Sequence, residues 1–229
     1  MSAPAGADPP RFELDHLVVG ASSLAVGRRW CEAIFGAQAS TGGVHAAMGT
    51  HNVLLSLASP THPRAYLEII AVDPDAPAPP RKRWFDLDAA GVRERVAASP
   101  TLLHWVARSD DIDAAVAWLR AAGHEPGTVT ASERVTPRGM LRWRISLPVD
   151  GRRPAGGAVP LVISWPGEHP TDSLPASGVT VESIRLGGVS AALARVLIAD
   201  QADSDASPLQ AGLVGPRGPV SLSAPPASL

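Results

Sequence analysis

A single cysteine, Cys31, occurs in the whole chain, so an internal disulfide is excluded and packing alone must hold the fold. Cys31 falls within a helix-like run, where it reads as a small buried side chain rather than a reactive thiol. Charge of one sign is also missing. Twenty basic residues against 22 acidic ones leave a formal net charge of -2, too little to hold phosphate backbones or anionic membranes. Nucleic acid and membrane are therefore not expected partners. No stretch approaches the roughly 18 continuous apolar residues of a membrane span. The opening MSAPAGADPPRF has no basic patch followed by an apolar run, which gives the cytoplasm as the expected compartment. Long uninterrupted elements are scarce too, because 23 prolines and 21 glycines among 229 residues punctuate the chain too often for a helical bundle.

The chain instead carries a repeated order of short elements. After an Ala/Pro-rich leader, Glu13 to Gly20 (ELDHLVVG) reads as a buried strand interrupted by one histidine. Ser22 or Ser23 caps a helix that runs to Phe35 and stops at Gly36. Strand-like runs follow at 43–48, 51–57 and 64–72, completing a βαβββ unit. A proline-rich connector (DPDAPAPP) and the segment RKRWFDLD lead into a helix-like patch ending near Val96. Thr101 to Arg108 (TLLHWVAR) is again an apolar strand holding one histidine, followed by a helix from Asp110 or Asp111 to Gly123 and strands at 127–133, 140–147 and 159–165. The expected division is a leader (1–12), a first unit with connector (13–98), a second unit (99–170) and a degenerate third βαββ segment with tail (171–229). Each unit exposes an apolar sheet face that it cannot bury alone, so the copies must pack together and enclose a cleft. The fold class is α+β.

Alternation along a strand puts His16 on one face with Leu14 and Val18, and Glu68 on one face with Tyr66 and Ile70. A carboxylate in a run such as YLEIIA is costly to desolvate without a partner. His16 is the candidate partner, and His104 holds the corresponding place in the second unit. Two imidazoles and one carboxylate form an open ligand set for a divalent metal. Against this, a strand histidine is commonly a satisfied core residue and a strand glutamate commonly faces solvent. On spacing alone the two readings stand level. Around GTHN, His45 and His51 are candidate substrate donors, the alternative being turn histidines facing water. Arg83 with Trp84, and Arg142 with Trp143, are candidate cationic aromatic lips for an anionic substrate, the alternative being arginine stems lying over tryptophan in solvent.

The strings LDHLVVGASSLAVGRRWCEAIFG, GGVHAAMGTHNVLLSL and AYLEIIAVDP resemble the glyoxalase-like branch of the vicinal oxygen chelate superfamily, which includes bleomycin-resistance proteins and extradiol dioxygenases. The resemblance is specific over residues 13 to 88 and weaker from 101 to 165. It implies tandem βαβββ units in a cup-shaped mixed sheet with helices outside, and metal ligands on the first and fourth strands of each unit. By this pattern His16, Glu68 and His104 would hold a divalent ion (zinc, nickel, manganese or iron), with Glu68 doubling as catalytic base. The implied function is a lyase, isomerase or dioxygenase of a small oxygenated substrate, a vicinal diol or carbonyl, in a monomer or homodimer. The alternative is metal-independent binding of a small molecule or drug, as in the bleomycin-resistance type. One departure stands out: aligning PLVISW with YLEIIA puts Val162 where a second carboxylate would stand.

Overall fold

A computed structural model describes residues 9–136, 138–201 and 207–226; most of the expected leader, residues 1–8, lies outside the described residues. The first unit runs β1 (Glu13–Gly20), α1 (Leu24–Phe35), β2 (Ser40–His45), β3 (Thr50–Ser56) and β4 (Tyr66–Val72). A connector containing α2 (Ala90–Ala98) leads to β5 (Thr101–Arg108), α3 (Ile112–Ala121), β6 (Thr128–Thr136), β7 (Gly139–Leu147) and β8 (Leu161–Ser164). Then come β9 (Thr180–Leu186), α4 (Ala191–Val196), β10 (Asp200–Gln201), β11 (Leu209–Gly215) and β12 (Gly218–Ser223).

Local chemistry explains the helix ends. The Ser23 hydroxyl accepts the Val26 N–H at the start of α1, and Gly36 ends it in the left-handed region at φ 72°. The Asp111 carboxylate accepts the Ala114 N–H at the start of α3. These were the capping positions expected from sequence.

Eight strands form one sheet in the order β2-β3-β4-β1-β5-β8-β7-β6. The two units meet where β1 pairs antiparallel with β5, and each first strand pairs parallel with its own fourth strand, β4 or β8. The sheet curls until its two edge strands, β2 and β6, touch. The C-terminal segment adds a separate four-stranded sheet, β10-β9-β11-β12, which carries the strand-helix-strand order expected of a third, shortened copy.

Alternation divides the core into two layers. Leu17, Val19, Leu67, Ile69, Trp105 and Ala107 face outward, packing with Phe35, Leu119 and the C-terminal sheet residues Val181 and Leu213. Val18, Ile70, Val106, Ile145 and Ile163 face inward, covered by Trp84 and Phe85 from the connector. The connector is clamped: Arg153, fully buried at its side chain, donates from Nε to Asp86 Oδ2 at 2.9 Å, and from Nη1 to the Leu103 and Pro225 carbonyls. Phe85 and Asp86 both adopt positive φ, 59° and 57°, a conformation that costs a non-glycine residue of order 1–3 kcal/mol and persists only where surroundings enforce it.

One face assignment differs from expectation. The β1–β5 register shifts between Leu14 and His16, so Asp15 is an extra residue in β1. Leu14 thereby joins the outer core while His16 faces inward.

Candidate active site

The inner face of the cup holds a small cavity of about 40 Å3 whose lining includes His16, His45, Asn52, Glu68, Trp84 and Arg134. Glu68 stands on β4 opposite Leu54 of β3 and Val18 of β1, so its carboxylate rises from the middle of the sheet and is only 5% exposed. Asn52 Nδ2 donates to Glu68 Oε1 at 2.5 Å, and Asn52 Oδ1 accepts the Gly43 N–H at 2.7 Å. The backbone donor therefore fixes which end of the amide faces the carboxylate. His45 Nδ1 lies 3.1 Å from Thr50 Oγ1 and its Nε2 lies 3.4 Å from Asn52 Nδ2 and 4.0 Å from Glu68 Oε1. Burial pushes His45 down to about 4, an effect only partly opposed by Glu68. It is a neutral imidazole at pH 7, with Nδ1–H toward Thr50 and an Nε2 lone pair toward the Asn52 amide.

On the other side of Glu68, His16 Nε2 lies 3.7 Å from Oε2. His16 Nδ1 lies 2.7 Å from Asp15 Oδ1, the arrangement in which a carboxylate fixes the tautomer and leaves the Nε2 lone pair facing the site. Asp15 Oδ2 in turn accepts from Trp165 Nε1 at 3.0 Å and lies 3.1 Å from His169 Nε2. Burial alone would raise the Asp15 carboxyl, but hydrogen bonds from His16 and His169 hold it well below the usual carboxylate range. Two acceptors, His16 Nε2 and Glu68 Oε2, thus face one gap, and the tethers beneath them come from both units.

The structure brings together His16, Glu68, His45, Trp84 and Trp143 among the residues singled out from sequence. His104 lies on the same sheet face, paired with Val18, but it does not line the cavity. Its Nε2 accepts the Leu161 N–H at 3.2 Å, and its buried Nδ1 has no partner. Phe85, whose ring centroid is 5.6 Å from that of His104, lines the cavity instead. With one nitrogen lone pair accepting a backbone proton and the other nitrogen protonated, His104 offers no donor to an ion in this arrangement. Among the described residues no group of three or more His, Cys, Asp or Glu side chains is arranged to hold a metal. The donors present therefore supply two of the three ligands expected, His16 and Glu68, and do not fit a three-ligand ion.

His51 Nδ1 lies 3.9 Å from Asp73 Oδ2, Arg83 is paired with Asp88 at 2.7 Å, and Arg142 is paired with the exposed Glu133 at 3.1 Å; none of the three lines the cavity. Val162 points into the outer core, and its neighbour Ile163 is the residue that faces the cavity. The position across from Glu68 in the second unit is thus apolar on either alignment. Sequence reasoning missed Asp15, Asn52, His169 and Arg134. Asp15 carried a signal, an acid beside a histidine within an apolar strand; Asn52 reaches Glu68 diagonally across the β3–β4 pair, and Arg134 joins them from the far edge of the sheet.

Two βαβββ units joined edge to edge around an inward-facing His/Glu pair define a protein of the vicinal oxygen chelate class. The family model described as "Glyoxalase-like domain" matches residues 14–201, and the chain belongs to that family. A hypothetical protein from Staphylococcus aureus shares the fold, with a TM-score of 0.53 at 14% identity, covering 93% of this chain and 86% of that one. Methylmalonyl-CoA epimerase from Mycobacterium tuberculosis matches with a TM-score of 0.40 at 20% identity, over 70% of this chain and 91% of the other. A singly substituted methylmalonyl-CoA epimerase from Streptomyces coelicolor, in complex with 2-nitronate-propionyl-CoA, gives 0.43 at 16% identity, over 69% of this chain and 96% of the other. No curated protein matches. No helix among the described residues is long and apolar enough to cross a membrane.

Proposed function

We propose that this chain is an enzyme that moves a proton on a small oxygenated substrate, an α-hydroxy carbonyl compound, with Glu68 as the base. The observation that carries the reading is the asymmetry of the Glu68 carboxylate. Oε1 is engaged by Asn52, while Oε2 accepts no hydrogen bond among the described residues and faces the cavity beside His16 Nε2. A buried carboxylate with one oxygen tethered and one free is oriented to accept a proton from carbon, and the Asn52 amide steadies it in either state. His16, held by Asp15, receives a substrate hydroxyl at Nε2 and so aligns the neighbouring carbon with Oε2. Trp84, Phe85, Trp143 and Trp165 in the cavity lining exclude water from the transfer.

The divalent ion that the resemblance implies would find only His16 and Glu68 as donors, and no step of this reading is routed through it. The test is exchange of carbon-bound hydrogen for deuterium in small α-hydroxy ketones and aldehydes, followed by NMR in D2O, with metal content measured on the same samples. Wild type is expected to exchange and Glu68→Gln to be slower by about 100-fold or more. Equal rates in the two proteins would remove Glu68 from the chemistry. An equimolar divalent ion that disappears in His16→Ala would add an ion to the site. The aromatic wall also favours a second reading, sequestration of an aromatic ligand; its mark is tight binding that Glu68→Gln leaves intact, without exchange in wild type.

A further inference from the structure

Arg134 is an unusual resident of this cavity. It comes from β6, at the far edge of the second unit, yet lines the same cavity as Glu68, His45 and Asn52. Its Nε and Nη1 are buried and have no hydrogen-bond partner. Among the described residues it forms no ion pair, in contrast to Arg83, Arg108, Arg142, Arg144 and Arg153, each of which has a carboxylate. The residue is half-buried, and two guanidinium nitrogens held from water without an acceptor each carry a desolvation cost of about 1–3 kcal/mol, so their retention asks for an external partner.

The sequence makes room for this cation. A Cβ built on Gly43 would collide with Arg134 Nη1, and one built on the preceding Gly42 would collide with the Asn52 side chain. Consecutive glycines on β2 therefore seat the guanidinium and the amide that holds Glu68 side by side. The register of β2 against β3 shifts over this stretch, which opens the strand toward the cavity. His45 is neutral there because burial disfavours its charged form, leaving Arg134 as the positive group of that wall.

From this juxtaposition we infer that Arg134 is the binding residue for the carboxylate of the substrate, which makes the substrate class small 2-oxo or 2-hydroxy acids. In such acids the carbon bearing the oxygen is directly bonded to the carboxylate. A guanidinium grips that group by charge-assisted hydrogen bonds while the oxygen on C2 faces His16 and the C–H that gives up its proton, on C2 of a 2-hydroxy acid or C3 of a 2-oxo acid, faces Glu68. The assignment deepens the proton-transfer reading and rests on it for the reaction, but not for the binding.

The experiment titrates pyruvate and lactate, with the neutral analogue hydroxyacetone as control, against the fluorescence of the cavity tryptophans Trp84, Trp143 and Trp165. Both acids are expected to saturate wild type. Arg134→Gln is expected to weaken them about tenfold or more, about 1.4 kcal/mol, while hydroxyacetone binds as before; Arg134→Lys recovers part of the loss. Since the variant removes guanidinium nitrogens that have no acceptor in the free protein, its thermal midpoint should equal or exceed that of wild type, which separates lost binding from lost folding. Gly43→Val, which displaces the guanidinium without removing it, should weaken the same two acids. Unchanged acid affinity in Arg134→Gln, or no saturable binding of either acid by wild type, overturns the assignment. The two readings fail separately: Glu68→Gln tests proton transfer and is expected to keep or tighten pyruvate binding, because it removes a negative charge from the cavity.

Discussion

Burial takes the His45 imidazole from 6.5 down to about 4, and this has a pH signature. Between those values the unfolded chain binds a proton that the native state does not, so stability rises with pH across the window and is lost as pH falls from 6.5 toward 4. His104 is shifted the same way, chiefly by burial, and adds to the slope. Replacing His45 with Gln removes one of these protons; unfolding free energies measured from pH 4 to 7 should therefore depend less steeply on pH than in wild type. Asp15 acts on the site through His16. Asp15→Asn keeps the shape but weakens the tethers to His16 and His169, so a loss of about 1.5–3 kcal/mol in unfolding free energy is expected for these charge-assisted bonds. Exchange should slow while pyruvate affinity stays near wild type, because Arg134 does not touch Asp15. Equal loss of both would show a general collapse instead of a positioning role.

At the scale of elements, the connector between units is held by a buried ion pair. Trp84 and Phe85 roof the cavity, and their backbone is fixed where Asp86 meets the fully buried Arg153 side chain. Asp86→Ala leaves that guanidinium without its carboxylate, and a destabilisation of about 3 kcal/mol is expected in denaturant unfolding. The roof should loosen with it, seen as red-shifted tryptophan emission.

Much of this level was legible in the sequence. The βαβββ order, the Ser23 and Asp111 caps and the Gly36 stop depend on neighbours a few residues away, and local chemistry suffices for them. His16 and Glu68 were legible because a titratable group in an apolar row must find a partner. The bulge at Asp15 was not, since nothing in ELDHLVVG marks which residue is extra against β5. Arg134 was the least legible, because β6 (TVTASERVT) alternates like a solvent-facing strand and its arginine looks no different from Arg142. His104 matched His16 in position but not in surroundings: the first residue of β8, Leu161, supplies the N–H that its lone pair accepts.

For the whole molecule, the two units contribute unequally. The first supplies His16, His45, Asn52 and Glu68, and the second supplies Arg134, the aromatic pair Trp143 and Trp165, and the His169 anchor. The apolar Ile163 across from Glu68 is the visible mark of this division. Placing a carboxylate there, as Ile163→Glu, should cost several kcal/mol if it stays unpaired; a variant that folds normally and gains a bound divalent ion would show that the cup lacks only that donor.

The curl that brings β2 against β6 has a further effect. An open sheet ends in rows of amides ready to recruit strands from other chains, the usual opening for runaway aggregation. Here each end shelters the other, and the glycine pair puts a break in β2 where a flat template would be needed. The same bend that gathers the binding groups also withdraws the margins of the eight-stranded sheet from its neighbours.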